Sequence, residues 1–163
     1  MKKLLLIAAL IAGVTLNAQV FAGKGDQKVQ IGADFQSNAS GIQWTYDYGL
    51  AENFSMGIGA NYALGLEDSI DASFDERATI KLRFNANIGN VINIDPMFDF
   101  YPGLAFSTKN FGGHVGARYF FTDGFGLYTE AAFPLAKYKS GNLTVQEELY
   151  NQFNVSVGLA FNF

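Results

Sequence analysis

Residues 153–163 alternate without an error. Phe153, Val155, Val157, Leu159, Phe161 and Phe163 fall on one face, and Asn154, Ser156, Gly158, Ala160 and Asn162 on the other. A strand has a side-chain period of two, so this segment is apolar on one side and small or polar on the other. The same period recurs along most of the chain. It predicts strands over residues 28–36, 42–50, 54–64, 77–88, 97–106, 111–121, 125–135 and 150–163. The clearest is 77–88, where Ala78, Ile80, Leu82, Phe84, Ala86 and Ile88 oppose Arg77, Thr79, Lys81, Arg83, Asn85 and Asn87. The weakest is 97–106, interrupted by Pro102 and Gly103.

These segments are longer than the roughly five or six residues usual in soluble sheets. About ten is what a tilted strand needs to cross a bilayer. The links also alternate in character. Tight turns are expected at 51–53 and 123–125, and long loops at 65–76 and 137–149. Short periplasmic turns with longer outer loops are the asymmetry of a membrane barrel, although the outer links at 37–40 and 108–110 are short. The expected fold is all-β: an eight-stranded antiparallel transmembrane barrel in an up-and-down meander. Closure removes the strand edges that lipid cannot satisfy.

The N-terminal residues predict export. Lys2 and Lys3 precede an uncharged, mostly apolar run at 4–14, too short to span a membrane as a helix. We read residues 1–18 as a signal peptide and 19–163 as the barrel, with a cut after Ala22 as the alternative. The Val20-Phe21-Ala22 run fits the small-x-small rule better than Leu16-Asn17-Ala18 does.

Charge narrows the partners. The 15 acidic residues outnumber the 11 basic ones, and losing Lys2 and Lys3 with the leader would widen the gap. Nucleic acid, which needs a basic face, is therefore not an expected partner. The chain has no cysteine, so neither a disulfide nor a lipidated cysteine enters the argument. The 16 Phe and 8 Tyr residues suit a lipid-facing surface with aromatic girdles.

An eight-stranded barrel has an interior just wide enough for side chains to fill. Parity puts Arg77, Lys81, Arg83, His114 and Arg118 inside, with Asp34, Asp47, Asp99 and Glu130. We nominate Asp47, Lys81, Arg83, His114, Arg118 and Glu130 as a polar network that plugs the lumen. A three-residue loop at 123–125 would set Arg118 opposite Glu130, Tyr119 opposite Thr129, and Ala117 opposite Ala131. The one histidine, His114, has Ser107 and Glu130 within reach of neighbouring strands, but no His-x-Ser or Gly-x-Ser-x-Gly arrangement accompanies it. No catalytic, cofactor or metal site is expected. The acidic run Glu67, Asp68, Asp71, Asp75 and Glu76 lacks EF-hand spacing and reads as a solvated loop.

The closing Phe161-Asn162-Phe163, at the end of an alternating strand, resembles the signal by which outer-membrane barrels are recognised for assembly. Four phrases are similar to an uncharacterised family of small outer-membrane β-barrel proteins of the OmpA/OmpX-like, eight-stranded kind. They are Arg83-Phe-Asn-Ala-Asn87, Tyr101-Pro-Gly-Leu104, Asn110-Phe-Gly-Gly-His114 and Arg118-Tyr-Phe-Phe-Thr-Asp-Gly-Phe-Gly-Leu127. The resemblance implies the outer membrane of a Gram-negative bacterium. Its implied partners are outer-membrane lipids and the barrel-assembly machinery, around a monomer. Similar precursors often end in Asn-Ala-Gln, which favours the cut after Ala18. The family carries no assigned activity. The expected role is structural or surface-interacting through the outer loops, with a lipid-modifying enzyme or a narrow channel for small solutes as alternatives.

Overall fold

The computed structural model describes residues 20–66, 72–139, 141 and 144–163. The expected leader and the cut after Ala18 lie outside the described residues, as do Glu67, Asp68 and Asp71 of the acidic loop. The eight strands are β1 (Gln27–Gln36), β2 (Ala39–Ala51), β3 (Phe54–Leu66), β4 (Ala78–Ala86), β5 (Phe98–Ser107), β6 (Asn110–Thr122), β7 (Phe125–Lys137) and β8 (Asn154–Asn162). Each pairs antiparallel with the next, and β8 pairs with β1 to close the ring. Among the described residues, three single-turn helices sit in the links: α1 (Phe74–Arg77), α2 (Gly89–Ile92) and α3 (Val145–Glu148).

The meander gives the barrel two unlike ends. One end, the turn end, receives the start of β1 and the finish of β8, the tight links β2–β3 and β6–β7, and the α2 link. The loop end carries the α1 and α3 links and the short turns β1–β2 and β5–β6.

The sorting of side chains is the reverse of a soluble protein's. On β4, Ile80 and Leu82 point outward at 63% and 40% exposure, while Arg83, one residue on, is 0% exposed. The largest fully buried side chains include Arg83, Arg118, Tyr101 and Lys28. Ile31, Trp44, Ile58, Leu104, Leu127 and Leu159 are among the apolar residues covering the exterior. Near the turn end, Tyr119, Phe121, Phe125 and Phe161 form a run of ring contacts at 5.6 to 6.4 Å. A polar interior and an apolar exterior with aromatic bands suit a barrel surrounded by hydrocarbon.

Three expectations need correction. The β6–β7 link is a two-residue Asp123-Gly124 turn, with Thr122 opposite Phe125 and a bulge at Phe121. Asp-Gly is a strong two-residue hairpin signal, and a bulge adds one unpaired residue. Register is therefore displaced by two from a three-residue loop. Arg118 faces Tyr128, Glu130 faces Gly116, Tyr119 faces Leu127, and Ala117 faces Thr129. A shift of two keeps every residue on its expected face and changes every partner. Second, Arg77 is not on β4. It ends α1, where its Nε donates to the Ala72 carbonyl at 3.0 Å. Third, β8 starts at Asn154, so residues 150–153 belong to the loop end.

The inverted sorting has a direct test. Leu82→Arg, mid-strand on the exterior, is expected to cost about 2–4 kcal/mol if that position meets the bilayer midplane. Urea-driven unfolding from lipid vesicles measures it, and a negligible cost would place Leu82 in water.

Candidate functional site

The barrel cross-section is filled by three cations and three carboxylates arranged in a chain. Arg83 on β4 reaches across to Glu130 on β7, with Nη2–Oε2 at 2.6 Å, and its Nε lies 3.1 Å from Asp47 Oδ1. The second contact is Coulombic, without hydrogen-bond alignment. Arg118 binds Asp99, its direct register partner, through Nε at 2.9 Å and Nη2 at 2.8 Å. The same Nη2 donates to Asn87 Oδ1 at 2.7 Å, and Nη1 lies 3.7 Å from Asp47 Oδ2. Asp47 thus sits between the two arginines. Lys81 completes the set, donating to Gln43 Oε1 at 2.9 Å with Glu130 at 3.6 Å.

Uncharged groups extend this chain around the wall. Tyr101 stands between the arginines, its ring centroid 4.5 Å from the Arg118 guanidinium carbon and 5.8 Å from that of Arg83. Its hydroxyl accepts from Gln30, which in turn accepts from Thr45. His114 Nε2 is 2.7 Å from Asn85 Oδ1, and Asn85 and Asn87 both donate to Ser55. Asp34 stands apart near the loop end, accepting from Asn154 and Ser156 at 2.6 Å each.

Glycines make room for these side chains. A Cβ at Gly116 would run into the Tyr101 ring, one at Gly103 into His114, and one at Gly59 would lie 2.9 Å from Lys81 Cε. At these three positions the strand carries glycine where a neighbour's side chain lies across the wall.

The nominated residues Asp47, Lys81, Arg83, His114, Arg118 and Glu130 therefore share one connected interior. The expected Arg118–Glu130 pair is replaced by Arg118–Asp99 and Arg83–Glu130. Tyr101 and Lys28 were not nominated. Parity with Asp99 points Tyr101 inward, but Pro102 and Gly103 obscure that strand in the sequence. Ser107 does not meet His114 through a hydrogen bond; its hydroxyl joins the Asn110 backbone and side chain.

The loop end is capped. Leu149 and Tyr150 are buried against Ala39, Ala63 and Ala72, with Leu66 at the edge. Tyr150 has φ 63, and its backbone is held from both sides: its N–H donates to Gln36 Oε1 at 2.8 Å and its carbonyl accepts from Asn110 Nδ2 at 2.6 Å. Burial pushes the Tyr150 phenol up from its ordinary pKa. Beneath lies a cavity of about 40 Å³ lined by polar groups including Asn61, Lys81, His114 and Tyr150. At the rim, Thr144 and Glu147 form a capping box for α3, and Lys139 donates to Glu147 at 2.7 Å. The Glu76 carboxylate accepts from the N–H and hydroxyl of Ser73. Among the described residues, no group of His, Cys, Asp and Glu is arranged to hold a metal ion.

Residues 11–163 match a family of unknown function, DUF6646. The chain belongs to that family. No curated protein matches the sequence. Among solved structures, a de novo designed transmembrane β-barrel is similar with a TM-score of 0.59 at 12% identity, over 86% of this chain and 97% of the other. Outer Membrane Protein G from Pseudomonas aeruginosa, solved by solution NMR, gives 0.46 at 12% identity over 88% and 99%. The first likeness identifies the fold as that of a transmembrane β-barrel. This DUF6646 chain fills such a barrel with ion pairs.

Two outcomes test the site. In a double-mutant cycle of Asp99→Leu and Arg118→Met, each single change takes a buried charge's nearest partner away and costs up to about 3–5 kcal/mol, and the double change costs less than either. The same cycle on Arg118 and Glu130, which are linked indirectly through Asp47 and Arg83, is expected to give a smaller interaction energy than the Asp99–Arg118 cycle.

At the rim, the Lys139 ammonium bonded to Glu147 holds its carboxyl below the usual glutamate pKa, with the Thr144 N–H adding to the effect. A lowered folded pKa means that the box contributes stability above the ordinary glutamate range and loses it as pH falls through the folded value. A carbon-13 titration of the Glu147 carboxyl should give a depressed midpoint that rises in Lys139→Ala.

Proposed function

We propose that this chain is an integral outer-membrane protein of a Gram-negative bacterium, built as a closed scaffold that acts through its loop end. The observation that carries this reading is the crossbar of Arg83, Tyr101 and Arg118, each at most 1% exposed, spanning the middle of the lumen. A conducting path would have to break the ion pairs that hold it. With the interior committed, contacts with other molecules fall to the rim, where Phe74 is 72% exposed and Tyr138 57%. His114 acts as a hydrogen-bonding member of the network in this reading, because its Nε2 is engaged with Asn85 and lies 3.4 Å from Arg83. The protein is a monomer surrounded by outer-membrane lipids, and the barrel-assembly machinery reads Phe161 and Phe163.

Recordings across a planar bilayer containing the refolded protein are expected to show no steady current. Stable ion-selective conductance would favour a channel instead. Lipid hydrolysis or acyl transfer lost in His114→Ala would favour an enzyme.

Assembly tests the location. Deleting Phe163 is expected to leave export intact and to reduce insertion. Normal surface amounts with normal heat-modifiable gel migration would remove Phe163 from the assembly signal.

A further inference from the structure

The chain ahead of β1 does not lead away from the barrel. Val20 and Phe21 are buried, at 6% and 5% exposure, in the turn-end mouth. Val20 packs in a cluster with Phe120, Tyr128 and Ala160, and Met97 borders it. This is an apolar layer below a polar lumen. Backbone bonds pin the segment down: Val20 N–H to the Pro96 carbonyl at 3.2 Å, and Gly25 N–H to the Gly49 carbonyl at 2.8 Å. The Ala22 N–H donates to Asp26 Oδ2 at 2.8 Å. A Cβ at Gly49 would collide with the Gly23 carbonyl, so β2 has glycine where the segment crosses it.

Beneath this segment lies Lys28, 0% exposed. Its ammonium pairs with Asp26 and donates to Asn162 Oδ1 at 2.7 Å. It also lies 5.7 Å from the Phe21 ring centroid and 5.8 Å from that of Phe120, within cation–π range. A buried ammonium needs such partners, because desolvation without them is costly. Phe21 and Asp26 supply them from the same short segment.

We infer that Val20 and Phe21 belong to the mature protein and form a stopper at the turn end, so that the leader is cut after Ala18 and not after Ala22. A cut after Ala22 would discard both residues. Phe120, Tyr128 and Ala160 would then lose apolar cover, and Lys28 would lose one of its two aromatic faces. The leader part of the inference rests on the export reading; the stopper part rests on geometry alone, and the experiment separates them.

The protein is produced from the full chain with its own leader and extracted from membranes, and its intact mass is measured. A mature chain beginning at Gln19 supports the inference, and one beginning at Gly23 overturns it. For the stopper, the detergent-solubilised mature protein is treated with a water-soluble amine-acylating ester, with exposed Lys24 as the internal reference. Lys28 is expected to be protected in the unaltered protein. Phe21→Ser, which keeps every backbone bond of the segment, should raise the Lys28-to-Lys24 labelling ratio severalfold while heat-modifiable migration persists. Deleting residues 19–22 should raise it further. An unchanged ratio in Phe21→Ser, or ready labelling of Lys28 in the unaltered protein, would overturn the stopper whatever the N-terminal mass.

Discussion

Charged side chains from six of the eight strands enter one narrow interior where they are buried, and the packing around them accommodates that fact. Isolated charges in such a space would each carry a large desolvation penalty. Here Arg83, Arg118 and Lys81 meet Glu130, Asp99 and Asp47 at close range, and Asp47 serves two cations at once. Neutral partners such as Asn87, Asn85 and Gln43 take up further hydrogen-bonding capacity. The glycines at 59, 103 and 116 follow from the same demand, since a side chain lying across the wall needs an empty position beneath it.

This network connects what the sheet cannot. Ladder hydrogen bonds join only adjacent strands, so a ring of eight can flatten without breaking one. Arg83 to Glu130 links β4 with β7, Gln30 to Tyr101 links β1 with β5, and Gln43 to Glu130 links β2 with β7. These bonds act as spokes. They also oppose register slippage, because a one-residue shift would send charged chains to the apolar exterior.

The strands and their faces were legible in the sequence because a period of two survives any reasonable error in boundaries. The nominated network residues share the interior for that reason. Pairing was not legible. Between β6 and β7 it depends on the length of the Asp123-Gly124 turn and on a bulge at Phe121, and nothing in Phe120-Phe121-Thr122 distinguishes a bulged residue from a paired one. The ends were not legible either. Arg77 continues the alternation of β4, yet it ends α1, capped by chain geometry that alternation does not encode. Residues 150–153 extend the pattern of β8, but Tyr150 has a left-handed backbone held by Gln36 and Asn110, two residues remote in sequence. Lys28 sits at the start of an amphipathic strand, and two of its partners, Phe21 and Asp26, lie on a preceding segment that reads as leader or linker.

Three layers of different chemistry therefore close the lumen. The turn end is apolar around Val20 and Phe120, the middle is ionic and aromatic, and the loop end is apolar again around Leu149 and Ala63. Apolar clusters at both ends lower the polarity around the ion pairs, which strengthens each pair, although a cavity of about 330 Å³ at the turn end is lined by Asp99 of the network. The caps and the network are thus mutually dependent: the pairs give the interior its shape, and the caps preserve the low polarity in which the pairs are strong. Under the scaffold reading, a barrel constrained in this way does not open for a solute. The chain at the loop end is anchored at Leu149 and Tyr150. That is where a scaffold reading puts its contacts.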